Sequence, residues 1–106
     1  FNASTPYNWQ QVFVGGGGTV TALTTSASEP GFVVAAADVG GPMTWNPKTG
    51  TWRHATDHFG PENTALYHAE CVAIDPKNAN IIYYSAGKEW QTGESSILKS
   101  IDRGKT

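Results

Sequence analysis

The chain is poor in charge, nearly free of cysteine and without a long apolar run. Only 15% of its 106 residues are charged and the formal net charge is −2, against the roughly 25% charged share of an average soluble domain. The seven Lys and Arg are scattered. They form no basic stripe to neutralise successive phosphates and no aromatic-studded basic groove for single strands, so nucleic acid is not an expected partner. The same shortage argues against anionic membrane surfaces, and no apolar run approaches the roughly 20 residues that cross a bilayer. At its start, Phe1-Asn2-Ala3-Ser4 lacks the charged and apolar regions of a signal peptide, so any leader is expected to have been removed. The single cysteine, Cys71, excludes an internal disulfide. Within Glu70-Cys71-Val72-Ala73-Ile74 it reads as a small buried hydrophobe, because a nucleophile would need an activating base beside it. His54, His58 and His68 lack metal-ligand spacing, so neither a metal nor a cofactor is expected. No long helical stripe is present either.

What the chain does hold is β-forming residues in short runs, with 12 Gly and 6 Pro punctuating Val, Thr, Trp, Tyr and Phe every few positions. These runs repeat. Val20-Thr21-Ala22-Leu23 leads through Glu29-Pro30-Gly31 to Phe32-Val33-Val34-Ala35, then Met43-Thr44-Trp45 and Gly50-Thr51-Trp52. Cys71-Val72-Ala73-Ile74 leads through Asn78-Ala79-Asn80 to Ile81-Ile82-Tyr83-Tyr84, then Ile97-Leu98-Lys99 and Gly104-Lys105-Thr106. Short strands recurring at a period of about 50 residues are the mark of a β-propeller, whose unit is a four-stranded blade. The repeat predicts an all-β chain with blade one over about 19–55 and an incomplete blade two over about 70–106. Strands are expected near 19–25, 31–37, 42–46 and 51–55, and again near 70–75, 80–86 and 96–101. A ring-closing strand is expected over about 9–14. Because a propeller needs roughly 4–8 blades, the chain reads as a fragment, the first two blades of a larger ring.

The second repeat ends in Ser100-Ile101-Asp102-Arg103-Gly104-Lys105-Thr106, which matches the Asp-box turn, Ser-x-Asp-x-Gly-x-Thr-Trp, up to its final Trp. Its physics is that of a tight hairpin, with the carboxylate accepting local N–H bonds and Gly supplying a left-handed backbone. Asp102 is therefore expected to be structural. A degenerate counterpart in blade one is Trp45-Asn46-Pro47-Lys48-Thr49-Gly50-Thr51-Trp52. Trp9, Trp45 and Trp52 fall at strand positions and read as packing residues.

Trp9, Val14-Gly15-Gly16-Gly17-Gly18-Thr19-Val20-Thr21, Glu29-Pro30-Gly31, Asp38-Val39-Gly40-Gly41 and Trp45-Asn46-Pro47, taken in that order, resemble the amino-terminal blade of glycoside hydrolase family 74, the xyloglucan-cleaving enzymes. Val72-Ala73-Ile74-Asp75-Pro76 and Ile97-Leu98-Lys99-Ser100 continue the likeness over nearly the whole chain. The resemblance implies a seven-bladed ring in a secreted enzyme, and a second propeller outside this chain that carries the general acid. It implies an inverting mechanism on the β-1,4-glucan backbone of xyloglucan or a related plant polysaccharide. The aspartate of the family's Asp-x-Gly-Gly element, its general base, maps onto Asp38. Two departures stand out: Ala36-Ala37 and Pro42-Met43 occupy positions where family members carry Arg-Thr and an aromatic, which predicts lost substrate contacts. Lacking the acid, the fragment alone is expected to be inactive.

Propeller topology adds an independent expectation. Loops joining second to third strands share one rim with the blade-to-blade loops, while Asp-box turns lie on the other. Asp38, the Gly15–Gly18 run, the Asp57–Tyr67 segment and Glu89-Trp90 thus fall on a common rim. Gly17 and Gly18 would let backbone approach a bound glucan, and Tyr67 and Trp90 could stack on sugar rings. Asn2-Ala3-Ser4 is a glycosylation acceptor pattern, in keeping with a secreted protein. Competing readings are a non-catalytic Asp-box propeller that binds glycan or protein on the same rim, and a sialidase. The last requires an arginine cluster, for which only Arg53 and Arg103 are present. The particular glucan, cleavage position and oligomeric state are not legible.

Overall fold

Alternation of small or branched residues with Thr and Ser, interrupted by Asx and Gly turns, folds the chain into two consecutive antiparallel meanders. The computed structural model describes residues 6–11, 18–87 and 95–106. The first sheet has the order β1 (Val20–Thr25), β2 (Val33–Ala37), β3 (Gly41–Asn46) and β4 (Thr51–His54). The second runs β5 (Ala69–Ile74), β6 (Ile82–Ala86) and β7 (Ser96–Ser100). Strand positions agree with the sequence expectation to within one or two residues, and the architecture is all-β, matching part of a propeller. A short 3-10 helix, Pro61–Tyr67, opens on Pro at its first turn and occupies the link between the sheets. The expected closing strand over 9–14 cannot be followed: residues 9–11 carry no strand and residues 12–14 lie outside the described residues.

The turns explain why the strands stop. Ser26 Oγ accepts the Glu29 amide at 3.0 Å, Asn46 Oδ1 accepts the Lys48 amide at 3.0 Å, and Asp75 Oδ1 accepts the Lys77 and Asn78 amides at 2.8 and 3.0 Å. Each short polar side chain thereby replaces a ladder bond and reverses the chain. Both sheets also carry a bulge at the same place in the repeat, between Val20 and Ala22 against β2 and between Ala69 and Val72 against β6.

The sheets meet face to face through small residues. Ala36, Ala69 and Ala86 are buried with Tyr84, and Ala22, Leu66, Val72 and Leu98 pack around them. Phe32, Val34, Ala79 and Ile82 continue the seam towards the other end. Full burial of Val34 and Ile82 stabilises by roughly 1.5–3 kcal/mol apiece. On the far side of the first sheet Ala35, Ala37 and Met43 form a second cluster against Trp52. Trp45 packs on Trp52, ring centroids 5.2 Å apart, as expected of packing residues.

Two expectations fail. Cys71 is exposed, not buried. The β5 bulge sets Glu70 and Cys71 opposite a single partner residue, Ser85, and both turn outward; the Cys71 amide donates to Ser85 Oγ at 3.1 Å. Trp9 is 91% exposed and belongs to no strand, so it is not a packing residue among the described residues.

Alternating antiparallel strands send the turn after β7 to the end opposite the β2–β3 turn. There Arg103, in a left-handed conformation at φ 64°, spans the two sheets. Its guanidinium pairs with both Glu29 carboxylate oxygens in the β1–β2 loop, donates to Asn80 Oδ1 at 2.7 Å and lies 5.0 Å from the Phe32 ring centroid. Arg53 of β4 donates to the Gly104 and Arg103 carbonyls at 3.1 and 2.8 Å. Gly104 could not be replaced cheaply: at φ 74° an added Cβ would stand 2.7 Å from Ala55 Cβ.

Asp102 organises this turn. Its Oδ1 accepts the Ser100 hydroxyl at 2.7 Å and the Lys105 and Thr106 amides at 2.9 and 3.0 Å, and Oδ2 accepts the Thr106 hydroxyl at 2.7 Å. These donors, the Ser100 hydroxyl foremost, hold the carboxyl well below the ordinary carboxylate range. The folded state therefore binds the proton at lower pH than the unfolded chain. Its contribution is fully present above an unfolded value of about 3.9 and is lost as pH falls through the folded one. In denaturant titrations the stability gap between the parent chain and Asp102→Ala should hold from neutral pH down to about 5 and narrow below about 4. A gap that stays constant into strong acid would contradict this.

Candidate active site

Asp38 is the first residue after β2, in a three-residue turn that Ala37 and Gly41 close as a facing pair. Two reciprocal bonds tie it to Thr19, just before β1: the Asp38 amide donates to the Thr19 carbonyl at 3.0 Å, and Asp38 Oδ1 accepts the Thr19 amide at 2.8 Å. Among the described residues nothing donates to Oδ2. Asp38 is partly exposed.

Glycine is required on both sides of this carboxylate. Gly18 has φ 99°, and a Cβ there would fall 2.2 Å from Asp38 Oδ1 and 3.2 Å from the Val39 amide nitrogen. Gly41 has φ 72°, and its Cβ would meet the Tyr67 carbonyl at 2.7 Å and Thr56 Oγ1 at 3.1 Å. Such backbone geometry and such close approach are open only to a residue without a side chain. The second sheet also enters the site. His68, immediately before β5, is hydrogen-bonded through Nδ1 to the Asp38 carbonyl, and its own carbonyl accepts the Gly87 amide at 3.2 Å. From β4, His54 Nδ1 lies 3.0 Å from the Gly40 carbonyl.

Of the residues expected on this rim, Gly18 lies against the Asp38 carboxylate, and Tyr67 borders the Asp38 turn through its carbonyl. The Tyr67 hydroxyl donates to the Phe59 carbonyl at 2.5 Å, and its half-buried ring meets Phe59 edge-on with centroids 6.1 Å apart. Gly17 and Trp90 lie outside the described residues. Sequence reasoning missed the Thr19 amide, His54 and His68, and named Gly41 only within the Asp38-Val39-Gly40-Gly41 element. The histidines act here through single ring nitrogens on backbone carbonyls, and no local pattern signals that. Ala36, Ala37, Pro42 and Met43 are all buried behind the rim, so at neither departure from the family pattern does this chain present a side chain at the surface.

A pair of propeller blades with a glycine-flanked carboxylate on one rim is thus the class that fold and site define. No family model matches the chain. It is 37% identical over 107 residues to a xyloglucanase of Acetivibrio thermocellus, an alignment that takes in 97% of this chain and 13% of that protein. An oligoxyloglucan-reducing end-specific xyloglucanase of Emericella nidulans is 30% identical over 100 residues, covering 94% of this chain and 12% of its own length. The solved family 74 xyloglucanase of Xanthomonas campestris superposes with a TM-score of 0.81 at 35% identity, over 95% of this chain and 15% of that one. Over the segment it spans, the chain belongs to glycoside hydrolase family 74. That segment is between 12% and 15% of the length of these relatives.

Gly18→Ala should expel the Asp38 carboxylate and leave the Thr19 amide without its acceptor. A hydrogen bond to a charged group is worth enough that exchange of the Thr19 amide, followed by NMR, should speed up at least about tenfold. Unchanged exchange would mean that Gly18 does not abut Asp38.

Proposed function

We propose that this chain supplies the general base, Asp38, and part of the glucan-binding rim of a secreted, inverting glycoside hydrolase that cleaves the β-1,4-glucan backbone of xyloglucan or a related plant polysaccharide. The observation that carries the reading is the state of Asp38. One carboxylate oxygen is fixed by the Thr19 amide, while the other accepts no bond among the described residues and can take a proton from water. Inversion calls for a carboxylate held in this way on one side of the glycosidic bond. A protonated acid stands opposite, roughly 6.5–9.5 Å off, leaving room for the attacking water. That acid belongs to a second propeller beyond this chain, so residues 1–106 alone would be inactive.

Support comes from the relatives over which the chain aligns, which are xyloglucanases. One of them is reducing end-specific, so the likeness is compatible with both internal and terminal cleavage. Gly17 and Gly18 would admit the glucan close to backbone, and Tyr67 and Trp90 would line the rim. Tyr67 would offer its ring and not its hydroxyl, which is already committed to Phe59. We read the Ser100–Thr106 turn as an Asp box, structural and remote from the chemistry. A non-catalytic glycan- or protein-binding propeller would use the same rim. Its support is that Ala36, Ala37, Pro42 and Met43 are buried and offer no side chain to a substrate where the family pattern has Arg-Thr and an aromatic.

In the complete protein, Asp38→Asn should leave xyloglucan binding largely intact and reduce hydrolysis by roughly 100- to 10,000-fold, the usual worth of general-base assistance. Asn preserves the shape and the bond from Thr19 but cannot accept the proton of water. Release of reducing ends within a few-fold of the parent rate would remove Asp38 from the mechanism.

A further inference from the structure

We infer that His68 is a positioning residue for Asp38: an imidazole from the second sheet fixes the backbone of the base in the first. This inference rests on the reading of Asp38 as the general base. The Asp38 carbonyl can only accept, so the ring nitrogen bonded to it, Nδ1, must carry the proton. A neutral His68 is thereby held in the tautomer that leaves Nε2 bare. The imidazole is itself anchored. Its backbone caps the Pro61–Tyr67 helix in an extended conformation at φ −81° and ψ 129°, its carbonyl takes the Gly87 amide at 3.2 Å, and the next residue, Ala69, is completely buried in the seam.

Among the described residues, the other bonds to Asp38 come from Thr19, which directly precedes β1 of the same sheet. Thr19 directly follows Gly18, a position with no side chain to hold it in place. Among the described residues, His68 supplies the hydrogen bond that reaches Asp38 from outside its own sheet. With it, the base is referenced to the second sheet, and any motion between the sheets is resisted at the reacting carboxylate. His54 holds the Gly40 carbonyl, two residues further on, and stabilises the turn without touching Asp38.

Amide geometry provides a selective test. Asn places its side-chain N–H about where His carries Nδ1, whereas Gln places it one bond further out and Leu has no donor. In the complete protein on xyloglucan, His68→Leu and His68→Gln should lower kcat by roughly 10- to 100-fold, the order expected when a catalytic group is misplaced by about an ångström. KM and the melting temperature should change little. His68→Asn should restore kcat to near the parent value. A purely structural role would instead move the melting temperature and leave kcat alone. Should His68→Leu fail to fold, the comparison of Asn with Gln decides. If Gln and Asn give the same kcat while Asp38→Asn abolishes hydrolysis, the positioning role is overturned and the base stands. If Asp38→Asn remains active, the base assignment fails first, and the role of His68 falls with it.

Discussion

Everything at the Asp38 rim depends on how closely the two sheets approach, and that distance is set by alanine. Ala36 and Ala69 are fully buried and Ala86 nearly so. Thr21, at the bulge of β1, donates its hydroxyl across the seam to the Ala69 carbonyl at 3.0 Å, with the Ala36 carbonyl 3.3 Å away. A larger side chain at any of these alanines would have to push the sheets apart, because a close-packed interior has no slack to absorb it. The consequence reaches the site directly: Ala36 lies two residues from Asp38, and Ala69 follows His68. The tight seam is what brings the imidazole within reach of the Asp38 carbonyl.

The opposite end holds the sheets in register by different means. Where the Asp38 rim uses backbone contact and small residues, the Asp102 end uses Arg103. Its hydrogen bonds to Glu29 draw that carboxyl below its ordinary range, the side-chain bond being the largest cause. Both partners are well exposed, 37% and 41%, so solvent and salt screen the attraction. The geometric value of the arginine is greater than its charge: it reaches the β1–β2 loop, the β5–β6 turn and the Phe32 ring at once. The alanine seam thus sets the spacing of the sheets, and the arginine ties their loops together at the far end.

Much of the fold was legible because strand and turn chemistry are local. Asp75-Pro76-Lys77-Asn78 and Asn46-Pro47-Lys48-Thr49-Gly50 announce reversals by their own side chains, and the period of the repeat then orders the strands. The rim membership of Asp38 followed from strand order alone. What escaped depends on residues far apart in sequence. The bulge that exposes Cys71 is a property of the β5–β6 register, and the run Cys71-Val72-Ala73-Ile74 is equally compatible with a regular buried strand. Trp9 resembles a packing residue by type, yet among the described residues no partner covers it. His54 and His68 could be read only as lacking metal spacing, since their partners are backbone carbonyls 14 and 30 positions away. Glycine gave a clearer signal, because the left-handed angles at Gly18 and Gly41 have few other occupants.

The most direct measurement is a crystal structure of the complete protein with a bound xyloglucan oligosaccharide. The sugar chain should cross the rim formed by Gly18, Asp38 and Tyr67, with Asp38 Oδ2 facing a water beside one glycosidic bond and a second carboxyl group roughly 6.5–9.5 Å away across it. An oligosaccharide seated on the Asp102 rim, or one crossing the Asp38 rim with no second carboxyl group opposite, would contradict the assignment of Asp38 as the base.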